Sequence, residues 1–258
     1  MIKKAALPAI ALLCLLALPS GAFAGRDTLT QVSTIDALLG GLYDGVAPVG
    51  SLREAGDLGI GTFHALDGEL VMIDGQVFQV RSDGSVRTVD DGVTTPFAAV
   101  TFFDADRRVD IPPGTDFTAL ETLVDGLLPT DNLFYAFRME GRFRTMKTRS
   151  VPGQQKPYRP LVEVVKQQPI FDFSEAEGTI VGFRCPAFVK GINVPGYHLH
   201  FLSADRKAGG HVLAFEVEQA TLAIDPTAEF TLRLPETKAF TAADLTADRA
   251  RELQKVEK

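Results

Sequence analysis

The sequence predicts an α+β protein, two β-rich halves of mixed sheet with a few helices, and three observations lead there. Short strand-like runs far outnumber helical patterns. Turn signals separate them, the 23 Gly and 15 Pro being spread along all 258 residues. Strands and helices do not alternate regularly, which argues against a doubly wound parallel sheet. The chain is long enough to bury a sizeable core, and 45% of it is hydrophobic. With Lys+Arg 26 against Asp+Glu 33 the net charge is −7, so the basic face of a nucleic-acid binder is not expected.

Residues 1–24 read as a cleaved signal peptide. Lys3 and Lys4 form a positive start, and Ala9 to Leu18 is apolar but shorter than the ~20 residues that span a bilayer. Ala22-Phe23-Ala24 has the small-x-small form of a cleavage site, so the mature chain begins at Gly25. The expectation is an exported protein, periplasmic or extracellular, with no membrane association after cleavage. Cys14 falls in the leader, leaving Cys185 without a disulfide partner and expected to be buried and inert.

The mature chain divides at the Pro-rich stretch Val151 to Pro160 into residues 25–150 and 151–258. In the first half, Thr34 to Leu42 reads as a short helix capped by Ser33 or Thr34 and stopped at Gly40-Gly41. Gly61 to Val80 reads as strands parted by the turns Leu66-Asp67-Gly68 and Asp74-Gly75, with a further hairpin at Asp83-Gly84. Phe97 to Phe103 is a buried strand. Leu120, Leu123, Val124, Leu127 and Leu128 recur at helical spacing between a cap at Thr115 or Asp116 and a stop at Pro129. Phe134 to Met139 and Phe143 to Thr148 are strand-like on either side of Glu140-Gly141.

In the second half, Leu161 to Gln168 makes a helical turn or two. Strands follow at Thr179–Phe183, His198–Leu202, His211–Val217, Thr221–Ile224 and Glu229–Leu234, and Ala242 to Val256 reads as a charged helix.

The histidines carry the chemistry. His198 and His200 are two apart in Tyr197-His198-Leu199-His200-Phe201, so a strand's period of two puts both imidazoles on one face. His211 opens the next strand after a turn, where antiparallel pairing brings it beside them. Three neutral imidazoles suit zinc or another borderline divalent ion with a coordination position left open. The metal site thus falls on strands of the C-terminal half. His64 stands alone and reads as structural. Arg149, at a strand end, can grip a carboxylate bidentately or be an ordinary surface arginine, and Glu69 can move a proton or simply be solvated.

The arrangement resembles the bacterial acetolactate decarboxylases, from roughly Ser33 to Val256. The resemblance lies in many ordered stretches, including Gly56-Asp57-Leu58-Gly59-Ile60-Gly61-Thr62-Phe63, Leu66-Asp67-Gly68-Glu69 and Lys147-Thr148-Arg149-Ser150-Val151. Gly191-Ile192-Asn193-Val194-Pro195-Gly196-Tyr197-His198-Leu199-His200-Phe201 and Gly209-Gly210-His211-Val212 continue it. The resemblance implies zinc-dependent conversion of 2-acetolactate to acetoin and CO2 in the butanediol route. It implies His198, His200 and His211 as zinc ligands, Arg149 as the catalytic arginine, Glu69 and Glu257 as active-site acids, and Thr62 lining the substrate pocket. Glu69, Glu257 or Arg149 through water would deliver the proton that fixes acetoin's chirality. It also implies a homodimer. Phe78 stands where a tyrosine is common, and Arg184-Cys185 replaces a more usual aromatic pairing.

Two rival readings remain at this level. A cupin-like metal dioxygenase also uses HxH, an acid a few residues on (here Asp205) and a later His. An exported, non-catalytic protein that binds a metal or a small acid would use the same histidines without turnover.

Overall fold

The computed structural model describes residues 27–257, so the expected leader lies outside the described residues. The elements run β1 (Thr28–Val32), α1 (Ile35–Leu39), β2 (Ala47–Pro48), α2 (Val49–Arg53), β3 (Leu58–Thr62), β4 (Glu69–Ile73), β5 (Gln76–Val80) and β6 (Val86–Thr88). Then come β7 (Thr94–Thr95), β8 (Ala98–Thr101), β9 (Arg107–Ile111), α3 (Phe117–Asp125), β10 (Phe134–Arg149), α4 (Leu161–Val164) and β11 (Ile170–Cys185). The chain continues with β12 (Gly196–Ser203), β13 (Gly209–Thr227), β14 (Glu229–Arg233), α5 (Lys238–Thr241) and α6 (Ala250–Glu257). The β-rich α+β character is as expected. No helix among the described residues is long and apolar enough to cross a membrane.

Seven strands form one sheet in the order β14-β1-β8-β3-β4-β5-β6, mixed because β14 lies parallel to β1. Five form the second, β10-β11-β12-β13-β9, and β10 also pairs along β13, so β10 to β13 close into a ring. Alternation along the strands decides what each face buries. In β12, Leu199 and Phe201 point into the ring with Phe143, Phe215 and Leu222, where Leu120 and Val124 of α3 pack on them. Leu202 points the other way, joining Phe183, Val181, Val71, Val80 and Ile60 in the apolar layer between the sheets. His198 and His200 share that second face, so the fold turns both rings toward the seven-stranded sheet. The α1, α4 and α6 helices close this end around Leu66, Phe97 and Val151.

The local readings hold where side-chain chemistry is short-range. Thr34 caps α1 by accepting from the Ala37 N–H at 3.2 Å, and Asp116 caps α3 by accepting from Ala119 at 2.8 Å. Several elements differ from expectation: β1 and β9 lie where none was expected, and the runs His211–Val217 and Thr221–Ile224 are one strand, β13. The runs flanking Glu140-Gly141 are one uninterrupted strand, β10. Gly141 is there because the neighbouring strand is close: a Cβ would lie 2.2 Å from the Gln219 carbonyl oxygen. The helix expected over Ala242–Val256 is reduced to α6. Asp244 and Asp248 accept from the backbone N–H groups of Thr246 and Ala250 two residues on, each at 3.0 Å, which favours turns over helix.

Asp225 of β13 is 2% exposed and accepts from the Asp104 N–H at 3.0 Å. Burial first, and then Asp27, Asp106 and Asp104 nearby, push its carboxyl up to about 7. Its ordinary value is lower, so ionisation favours the unfolded chain as pH rises toward 7, and stability falls over that interval. Asp225→Asn keeps the acceptor and removes the charge. It is expected to raise stability at pH 8 by ~1–2 kcal/mol and to change little at pH 4, measured by urea unfolding at both pH values.

Candidate metal centre

The antiparallel β12–β13 hairpin puts His200 directly opposite His211, and β12 periodicity puts His198 two residues away on the same face. One ligand nitrogen from each ring lies within 4.8 Å of the others, and the ring centroids are 5.0–5.4 Å apart. This is the expected trio.

Thr62 and Glu69, facing each other in the β3–β4 pair, approach from the seven-stranded sheet. Arg149 comes from the end of β10, opposite His211, and Glu257 from α6. Every sequence-expected site residue therefore borders one small cavity of about 30 Å³, closed by Ile35, Leu38, Leu66, Phe97, Leu161 and Val256. An outer cleft of about 780 Å³, between α6, α3 and the Ala187–Gly196 segment, shares His211 and Glu257 with it. Glu257 thus stands between the inner chamber and the open side.

The hydrogen bonds assign roles. His200 Nδ1 lies 2.8 Å from the Leu70 carbonyl, which fixes the tautomer with Nδ1 protonated and frees Nε2. That Nε2 is buried without a hydrogen-bond partner, 3.6 Å from Glu69 Oε2. Glu257 Oε2 is equally unpartnered, 3.9 Å from His198 Nε2 and 3.8 Å from His211 Nε2. Unsatisfied lone pairs facing one buried point are costly unless something sits there, and a divalent cation satisfies them.

Arg149 Nη1 donates to Glu69 Oε1 at 3.2 Å and Nη2 to the Val256 carbonyl at 3.0 Å, so the guanidinium ties one acid to α6. Three of its five N–H groups remain for a ligand, the buried Nε–H among them.

Burial, reinforced by Arg149, holds His198 down at about 3. Desolvation leads the same depression in His200 and His211, which lie well below the imidazole range. All three are neutral donors at neutral pH, the form a metal needs. Burial pushes both Glu69 and Glu257 up to about 7, against the opposing pull of Arg149.

The remaining sequence readings fall away from the centre. His64 is exposed, its Nδ1 accepting from the Gly45 N–H at 3.0 Å, a structural contact as expected. Cys185 is buried and its thiol is pushed up to about 12, so it is no nucleophile. Asp205 lies in an exposed turn, bonded to Ser203 and Lys207, so the acid that a cupin-like reading requires is absent from the cluster. Phe78 packs in the layer between the sheets, and Arg184 clamps Asp125 of α3 and Asp131, so both sequence departures lie outside the cavity lining. Main-chain groups of Leu70 and Val256 complete the site, and carbonyls carry no sequence signal.

Comparison with known proteins agrees with this geometry. A family model described as alpha-acetolactate decarboxylase matches residues 29–247, a span that includes the three histidines, Glu69 and Arg149. A Methanosarcina mazei protein named alpha-acetolactate decarboxylase is 49% identical over 232 residues, covering 90% of this chain and 81% of its own length. One from Bacillus licheniformis is 46% identical, covering 84% of this chain and 86% of its own length. The crystal structure of the Bacillus subtilis strain 168 alpha-acetolactate decarboxylase superposes with a TM-score of 0.88 at 43% identity, over 89% of this chain and 99% of that one. On its sequence, its fold and the residues gathered at its centre, the chain belongs to the alpha-acetolactate decarboxylase family.

Proposed function

We propose that this chain decarboxylates 2-acetolactate to acetoin and CO2 and that His198, His200 and His211 hold a zinc ion for the purpose, in the acetoin-forming branch toward butanediol. The observation that carries the reading is three neutral imidazoles and two buried acids facing one cavity in a member of this family. Nitrogen donors of this borderline kind suit zinc, and the unpartnered Nε2 of His200 and Oε2 of Glu257 support a cation between them. When bound, zinc supplies Lewis acidity that stabilises negative charge growing on the substrate's ketone oxygen.

The chain's own groups do the rest. Loss of CO2 from the hydroxyl-bearing carbon leaves its electron pair as an enediolate, and one proton added to that carbon gives acetoin. The acetolactate anion and one proton therefore balance acetoin and CO2. Arg149 offers its free N–H groups to the departing carboxylate while holding Glu69 still. Glu69 faces the cluster through Oε2, with Oε1 anchored, so it delivers the proton to one face only. Thr62 donates to the Gly68 carbonyl at 2.7 Å, steadying the turn that leads into Glu69 as it lines the cavity. The apolar wall of Leu38, Leu66, Phe97 and Val256 excludes water.

The test is direct. Purified protein given acetolactate is expected to release acetoin and CO2 one for one, to stop when a strong chelator strips it, and to recover with added zinc. Oxygen consumption dependent on iron would favour a dioxygenase instead, and acetolactate recovered unchanged would leave only a binding protein.

A further inference from the structure

The turn that aims Glu69 is strained. Ala65 and Leu66 both adopt φ 60°, in the left-handed region that β-carbons disfavour, and Gly68 follows at φ 89°. At Gly68 only glycine fits, since a Cβ would lie 2.3 Å from the Val80 carbonyl oxygen. Two successive non-glycine residues in that region, Ala65 and Leu66, persist only where surrounding contacts over-determine them. On the cavity side those contacts are the Thr62 hydroxyl on Gly68 and the Gly68 N–H on the Val151 carbonyl at 3.1 Å. Asp67, at the apex, is held from behind.

Gln79 does the holding. Its flanking residues Phe78 and Val80 face the layer between the sheets, so alternation turns Gln79 to the opposite face, away from the cluster. It is nonetheless 2% exposed. Its amide nitrogen donates to both the backbone carbonyl of Asp67 and, at 3.1 Å, the Asp67 carboxylate. Its amide oxygen accepts from Arg87 Nε at 2.7 Å, across the β5–β6 pair. A buried amide with both ends committed is a rigid strut, and this one ends on the residue two before Glu69.

We infer that Gln79 is a positioning residue, which sets the face to which Glu69 delivers its proton by fixing the Ala65–Gly68 turn through the Asp67 carbonyl. The inference rests on the proposed decarboxylation and adds to it a determinant outside the cavity. Gln79→Met keeps the length and removes the hydrogen bonds. It is expected to lower kcat about ten-fold, with KM within about three-fold and bound zinc unchanged, because Glu69 is displaced while the ligands are not. The decisive readout is the enantiomeric ratio of the acetoin formed, which is expected to fall. That ratio is set per turnover, so a partly unfolded preparation does not alter it.

Asp67→Asn is the companion variant. It keeps the carbonyl that Gln79 grips, so it should retain wild-type enantiomeric purity. Undiminished purity and kcat in Gln79→Met, or equal loss in Asp67→Asn, would overturn the positioning role. A wild-type protein that forms no acetoin would overturn the decarboxylase reading itself, and this inference with it.

Discussion

Replacing His211 with alanine is expected to strip the centre of zinc and reduce turnover at least ~1,000-fold, with the fold intact. The reasoning begins with the count of donors. Three imidazoles converge within 4.8 Å, and His211 is the only one of them from β13. Its loss leaves two nitrogens on one strand, facing one side of the cavity and unable to surround an ion tetrahedrally. Removing even an outer-shell partner costs a metal site ~10–100-fold in affinity, and removing a ligand costs more. The charge stabilisation the metal supplies is then lost with it. Folding should survive, because the hairpin that carries His211 is held by backbone pairing. Zinc per chain by elemental analysis, far-UV circular dichroism and acetoin release check the three parts separately. A folded variant with zinc gone and wild-type turnover would remove the metal from the chemistry.

How much of this was legible in the sequence depends on the range of the cause. Short-range causes were readable. The Thr34 and Asp116 caps, the Asp74-Gly75 hairpin and the period-two pair His198/His200 each follow from residues within a few positions. The approach of His211 needed only one hairpin. Long-range causes were not readable from local patterns: Gly141 looks like a turn until the backbone of Ala220 is known to pass against it. The helix expected from Ala242 begins only at Ala250 for a local reason, Asp side chains competing for backbone N–H groups. At the site, residue types suggested Arg149 and Glu69 but not their mutual bond, which joins residues 80 apart in sequence. The Gln79 strut shows the same limit, because a polar residue in an alternating strand reads as solvent-facing until β6 and the Asp67 turn cover it.

Changing Arg149 to lysine should separate catalysis from metal binding, the opposite outcome to the histidine variant. The side chain is 5% exposed and joins Glu69 Oε1 to the Val256 carbonyl, so one planar group fixes both the acid and α6. An ammonium keeps the charge but is a compact point donor on a flexible stem, and it does not reproduce a fork aimed at two fixed acceptors and a substrate carboxylate. A flexible ammonium no longer holds the substrate carboxylate and Glu69 in register, and small misplacements of reacting groups cost on the order of 100-fold, so kcat/KM is expected to fall by ~100- to 1,000-fold. Zinc content should stay at the wild-type level, since no ligand is altered. Stability should fall by only ~1 kcal/mol, because burial already favours the neutral form of Glu69 and it can protonate when its partner weakens. The loss should divide between kcat, through the misplaced Glu69, and KM, through the weaker hold on the substrate carboxylate. Steady-state kinetics on acetolactate, read beside elemental analysis of the same preparation, decide the matter. If lysine supported wild-type kcat/KM, the guanidinium would be a structural tie between β10 and α6, and the departing carboxylate would need another partner.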